Sequence, residues 1–154
     1  MSIFGTDGIR GIGHVGVVDD PLRYFQDERL FSKQLCGEIA YCASLIAAQG
    51  HVLIGWDRRP HNQKIAEHVI ECLKGTRQFI SVLGETTTPA LQFMMLKKDA
   101  ALGLMITASH NPSEDTGLKI LFENGRKPTE GEQILIERQM FTPKKNPKIQ
   151  SKVE

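Results

Sequence analysis

The chain has 154 residues, enough to bury one core of ordinary domain size, so one domain with a short tail is expected. Hydrophobic residues at 40% and charged residues at 24% describe a folding, water-compatible chain rather than a disordered one. A formal net charge of +1 gives no field that argues for nucleic acid or a membrane surface, and neither is expected as a partner.

The first ordered signal is Ile3-Phe4 followed by the glycine-rich segment Gly5-Thr-Asp-Gly-Ile-Arg-Gly11. Residues 12–27 read as polar and irregular. A helical pattern runs from about Leu30 to Gln49, with Leu35, Ile39, Ala43 and Ile46 on one face and Gly50 as its stop. His51-Val-Leu-Ile-Gly-Trp56 is a nearly continuous apolar run, the signature of a strand covered on both faces. Asn62 is read as the cap of a second helix, in which Ile65, Ala66, Val69, Ile70 and Leu73 recur at helical spacing up to Gly75. Phe79–Leu83 is the next strand, and Thr88 with Pro89 starts a third helix reaching about Lys97. A strand at 101–107 follows. Leu118–Phe122 then alternates around Lys119 and turns at Asn124-Gly125, as a strand antiparallel to its neighbour. Thr129 with Glu132 forms a capping box for a last helix near 130–140. The lysine- and proline-rich residues 142–154 read as a linker or tail. The alternation of strands and helices predicts an α/β fold, a three-layer α/β/α domain over 1–141 with a mostly parallel, mixed sheet of four strands.

Cys36, Cys42 and Cys72 make no C-x-x-C pair and fall within helical patterns, so reduced thiols are expected. With no apolar run of about 18 residues and no basic leader ahead of an apolar segment, the sequence reads as cytoplasmic.

Three places carry candidate chemistry. The glycines of 5–11 let the backbone bend tightly and approach a ligand, with Arg10 offering a planar fork of donors to a phosphate; the same residues equally suit an exposed turn with a solvated arginine. It is neither a Walker loop nor a G-x-G-x-x-G fingerprint. Asp57-Arg58-Arg59-Pro60 follows the run 51–56, where Asp57 could orient an arginine into a site or simply make a surface ion pair. Thr107-Ala-Ser-His-Asn-Pro112 then places a hydroxyl, an imidazole and an amide beyond a strand's carboxyl end, where open α/β sheets hold ligands. Ser109 lacks the G-x-S-x-G elbow, and adjacent loop residues rarely face each other, so a hydrolase-type Ser109–His110 dyad is disfavoured. A phosphorylated serine fits better. It would carry about −1.5 to −2 charge, which Arg10, Arg59, His110 and Lys119 are available to balance.

Phe4-Gly-Thr-Asp-Gly-Ile-Arg-Gly11, Thr107–Pro112 and Gly117-Leu-Lys119 together resemble the amino-terminal domain of the α-D-phosphohexomutases, and the glycine-rich opening is most similar to that of bacterial phosphoglucosamine mutases. Gly55-x-Asp57-x-Arg59 and Thr88-Pro89-Ala90 fit the same order, so the resemblance spans roughly residues 3–140. It implies an isomerase that moves phosphate between the 6- and 1-hydroxyls of a hexose through a phosphoserine and a sugar bisphosphate. The implied substrate is glucosamine 6-phosphate, with phosphomannomutase or phosphoglucomutase activity as the alternative. The implied catalytic residues are Ser109, His110, Lys119 and Arg10, with Thr6, Arg59 and Asn111 binding substrate or phosphate. Mg2+ would be held through phosphorylated Ser109, and glucose or glucosamine 1,6-bisphosphate would act as primer.

The sequence departs from the family pattern at Thr116, Arg58 and His61. It also lacks the family's D-x-D-x-D run, which would supply hard oxygen ligands to Mg2+, and the features of domains II–IV. Those domains are therefore expected as partners, and the isolated domain is expected to be inactive. A truncated, non-catalytic module that binds sugar phosphates or another chain is the rival reading.

Overall fold

Residues 2–142 are described by the computed structural model. Their apolar runs line up in one mixed six-stranded sheet, in the order β2-β1-β6-β5-β3-β4. The strands are β1 (Ile9–His14), β2 (Leu30–Ser32), β3 (His51–Trp56), β4 (Phe79–Glu85), β5 (Leu102–Ile106) and β6 (Asp115–Phe122). The pairs β1–β2, β3–β4 and β3–β5 are parallel, whereas β6 runs antiparallel to both β1 and β5. The mostly parallel, mixed sheet is as expected, but it has six strands instead of four.

The two extra strands lie in the stretch read as irregular or helical. Two-thirds of β1 is glycine or polar, which hides its period, and β2 is too short for periodicity to reveal. Its last residue, Ser32, caps α2 (Lys33–Ile46), accepting from the Leu35 N–H at 3.0 Å, so that helix begins three residues later than expected. It also ends early, at Ala47 rather than Gly50. Where residues 12–27 were expected to be irregular, α1 (Pro21–Glu28) forms, with Asp20 as cap and a proline in its first turn.

The remaining elements follow their patterns with small shifts. α3 spans Asn62–Leu73, but its cap position is His61, and Asn62 turns its side chain elsewhere. Lys74, not Gly75, closes that helix. α4 (Thr88–Lys98) is capped by Thr87 rather than Thr88. Asn124 and Gly125 both take positive φ, at 64° and 72°, after β6. Thr129 and Glu132 make the reciprocal capping box of α5 (Glu130–Phe141). Thr142 closes α5, and the rest of the expected tail, 143–154, lies outside the described residues.

Helices cover both faces, which accounts for the buried sequences of β5 and of the middle of β3. On one face α2, α3 and α5 press Leu35, Ile39, Ile65, Val69 and Ile136 against Ile54, Leu104 and Ile120. On the other, Leu91 and Met95 of α4 pack on Leu53, Met105 and Leu121. Phe31 of β2 is fully buried and meets Phe25 of α1 edge-to-face at 6.3 Å, sealing the end of the sheet. Cys36 and Cys42 are buried in the first core, and burial pushes the Cys36 thiol pKa well up.

Candidate functional site

β5 and β6 are joined by residues 107–114, so the serine motif is a loop between antiparallel neighbours at the carboxyl end of β5. Ser109 takes a left-handed backbone (φ 53°), a conformation that costs a non-glycine residue about 1–2 kcal/mol. The surroundings impose it. The Thr107 hydroxyl accepts from the Ser109 N–H at 2.9 Å and donates to Asp57 Oδ2 at 2.5 Å. Asp57, just past β3, also accepts from Asn62 Nδ2 at 2.6 Å, and that amide reaches the Ile106 carbonyl at 3.0 Å. The hydroxyl of Thr116 closes the set by donating to Asn62 Oδ1. Asn62 is completely buried here, which explains why it does not cap its helix.

Arg59 clamps the loop from the same turn. Its Nη1 donates to the carbonyls of Pro112 (2.5 Å) and Asp115 (3.0 Å), its Nη2 to those of Ser109 (2.6 Å) and Asn111 (3.0 Å), and its Nε to Asp57 Oδ2 (3.4 Å). The side chain is 10% exposed. Its donors are thus directed at the backbone of the loop, and Asp57 does orient an arginine as its position in sequence suggested. Neighbouring Arg58 takes the other reading, an exposed ion pair with Glu85.

A second set of charges comes from β1 and β6. Arg10 donates to Asn111 Oδ1 at 3.1 Å, and Asn111 donates to Asp115 Oδ2, also 3.1 Å, which Arg29 meets at 3.5 Å. Gly117 opposite Arg10 makes room for this: a Cβ there would stand 3.0 Å from the Arg10 Cγ and 2.1 Å from the Ile9 carbonyl. The other end of Arg10 reaches Asp7 Oδ2 at 3.2 Å. Lys119 Nζ, 15% exposed, lies 3.0 Å from the same oxygen, and Lys127 Nζ lies 3.4 Å from Asp7 Oδ1. Burial opposes ionisation of Asp7, but Lys119 and Lys127 outweigh it and hold the carboxyl below its ordinary value of 3.8. The turn that delivers Asp7 needs glycine at position 8, where φ is +88° and a Cβ would meet the Leu118 carbonyl at 2.5 Å. Thr6, Asp7, Lys119 and Lys127 line a cleft of about 310 Å3 next to this cluster.

A serine at a strained tip of a loop that Arg59 bonds directly and Arg10 bonds through Asn111 is an arrangement suited to a transferred anionic group. The phosphoglucomutase/phosphomannomutase family, through its alpha/beta/alpha domain I, matches residues 1–147. The chain belongs to that family. A phosphoglucosamine mutase of Prochlorococcus marinus is 35% identical over 141 residues, covering 91% of this chain and 28% of that protein. A phosphoglucosamine mutase of Lactiplantibacillus plantarum is 34% identical over 144 residues, covering 94% of this chain and 31% of that protein. The crystal structure of a putative phosphomannomutase from Thermus thermophilus superposes with a TM-score of 0.64 at 27% identity, covering 91% of this chain and 30% of that one. The chain spans less than a third of the length of the relatives it matches.

Within this phosphohexomutase domain, the expected site residues divide into groups. Arg10 and Asn111 bond to each other, and Arg59 bonds to the serine loop; Lys119 joins Arg10 through Asp7, and Thr6 shares the cleft with Lys119. His110 is exposed at the loop tip, apart from these networks. The sequence reading did not pick out Asp7, Asn62, Thr107, Asp115 or Lys127 as site residues. Asp7 sits in a motif read for its glycines, and Asn62 carries an equally good helix-start signal. Lys127 and Asp115 carry no local signal. Among the described residues, no three His, Cys, Asp or Glu side chains gather to hold a metal. Asp7, Asp57 and Asp115 are each committed to the partners named above. The domain therefore does not by itself assemble the oxygen set Mg2+ takes.

Proposed function

We propose that this chain is the phosphoserine domain of a phosphohexomutase that converts glucosamine 6-phosphate to glucosamine 1-phosphate. The observation that carries the reading is Ser109 at a left-handed loop tip clamped from below by Arg59, with Arg10 tied to the same loop through Asn111. Phosphoryl transfer asks mainly for alignment and charge neutralisation, which such a cluster supplies. In the forward step the phosphoryl group leaves the Ser109 oxygen for the free hydroxyl of the sugar phosphate, whose proton passes to a nearby base. Lys119 or His110 moves that proton, and Arg10 steadies the phosphoryl oxygens. The resulting bisphosphate turns over and returns its other phosphoryl group to Ser109, with Thr6 and Asn111 as further contacts to phosphate or sugar. Arg59 acts one layer back, by fixing the loop.

The similarity to phosphoglucosamine mutases favours glucosamine phosphate over mannose or glucose phosphate. Mg2+ on the phosphorylated Ser109 would need its other ligands from outside this chain, and a hexose 1,6-bisphosphate would prime the serine. No step above runs through the metal. The isolated chain is accordingly expected to lack turnover.

The test is Ser109→Ala in a polypeptide extended to the length of the relatives, assayed with glucosamine 6-phosphate and a bisphosphate primer. Isomerisation should fall to background, and intact mass should show one phosphoryl group on the parent and none on the variant. Undiminished isomerisation by the variant overturns the reading. Measurable turnover by the 154-residue chain alone overturns the dependence on further domains.

A further inference from the structure

Asp115 opens β6 opposite Ile12, and its side chain is 9% exposed. A carboxylate so far from water needs donors. Asn111 Nδ2 donates to its Oδ2 at 3.1 Å, and the guanidinium of Arg29, just past α1, stands 3.5 Å from the same oxygen. Arg29 is 63% exposed, and ion pairs of such arginines contribute little. The Asn111 amide is the closer partner, and it has a second duty: its Oδ1 accepts from Arg10 Nη1 at 3.1 Å. A side-chain amide has a donor end and an acceptor end, and half a turn about its last bond exchanges them. A carboxylate accepts only and a guanidinium donates only, so Asp115 and Arg10 together admit one orientation of the amide between them. The Asn111 backbone is held independently, since its carbonyl accepts from Arg59 Nη2 at 3.0 Å.

We infer that Asp115 is a positioning residue: it locks the Asn111 amide with its oxygen toward Arg10, and so fixes where the Arg10 guanidinium stands beside the serine loop. Without the lock the amide can turn its N–H groups to the guanidinium, donor facing donor, and Arg10 is left to its other hold, Asp7 Oδ2 at 3.2 Å. Phosphoryl transfer depends on alignment, so a guanidinium released from one of two holds loses the placement that the transfer uses. The catalytic consequence rests on the phosphohexomutase reading above, whereas the geometry does not. Asp115 lies outside the residues given a role in that reading.

The experiment follows the Arg10 guanidinium by NMR in the 154-residue chain, since hydrogen bonds slow the rotation about its Cζ–N bonds. Asp115→Asn keeps the side-chain shape and the backbone bonds to Pro112 and Arg59, so the fold is retained. An asparagine at 115 can serve either end of the Asn111 amide, and Arg10 rotation should quicken about fivefold, the scale of trading a charge-assisted hydrogen bond for a neutral one. Asn111→Ala should quicken it about tenfold, and adding Asp115→Asn to that variant should change nothing more, because Asp115 acts through Asn111. Arg29→Gln should leave Arg10 within about twofold of the parent. In a polypeptide extended to the length of the relatives, Asp115→Asn should lower kcat about fivefold and keep KM for glucosamine 6-phosphate within about twofold, as expected of a contact used when the phosphoryl group moves. Unchanged Arg10 rotation in Asp115→Asn, additive effects in the double variant, an Arg29→Gln variant as mobile as Asp115→Asn, or an unchanged kcat each overturns the inference. The mutase reading is judged separately. Loss of isomerisation in Ser109→Ala with a rigid Arg10 in Asp115→Asn sinks the lock alone, and a freed Arg10 with undiminished isomerisation in Ser109→Ala sinks the mutase reading alone.

Discussion

The Thr107 hydroxyl sits between Asp57 Oδ2 and the Ser109 N–H, donating to one and accepting from the other. Valine has the same shape without the oxygen, so Thr107→Val strips a partner from a carboxylate and from a backbone N–H at once. Such losses cost about 1–3 kcal/mol. Urea unfolding should register a drop of that size, and the Ser109 amide should exchange faster with solvent. Arg59 makes the complementary case. Lysine keeps the charge but has three donors on a point ammonium in place of a planar fork. Arg59→Lys should therefore leave at least one of the four loop carbonyls unpaired. Amide exchange across 109–115 should speed up in that variant while the core strands stay protected.

At the scale of elements, α5 shows how a helix start is welded to the preceding turn. Thr129 and Glu132 cap each other, and Arg126 donates to both Glu132 and Glu123 while its guanidinium stands 5.4 Å from the Phe122 ring centroid. Arg126 brings the Glu132 carboxyl down from 4.5 to about 2. A carboxylate depressed in the folded state stabilises above its unfolded value and loses that contribution as pH falls through the folded one. Stability should decline as pH drops from 4.5 to about 2, and Arg126→Ala should flatten that part of the curve measured by denaturant unfolding. The capping box itself was legible, because all of its parts lie within four residues. So were β3, β4, β5 and β6, whose apolar runs are long or bounded by glycine and asparagine. The strand β1 was not. Its glycines answer to close contacts with residues distant in the chain, Gly11 with the carbonyl of Arg29 at the end of α1 for instance, and those contacts leave no period in the sequence.

For the molecule as a whole, stability rests on two apolar layers of unequal size around one sheet. Phe31 is fully buried at the far end of the larger layer. Phe31→Ala should cost about 3–5 kcal/mol and lower the thermal midpoint without altering the serine loop, from which β2 is separated by β1 and β6. Local order in the chain by itself determined the α/β class, most helices and strands, and the loop that carries Ser109 beyond β5, because periodicity, caps and turn residues act over a few positions. Only the tertiary structure decided that Arg59 spends its donors on loop carbonyls, that Asn62 serves the site and not its helix, and that Asp7 gathers Arg10, Lys119 and Lys127. Those pairings join residues far apart along the chain, and their strength depends on distance and burial, which no local pattern encodes.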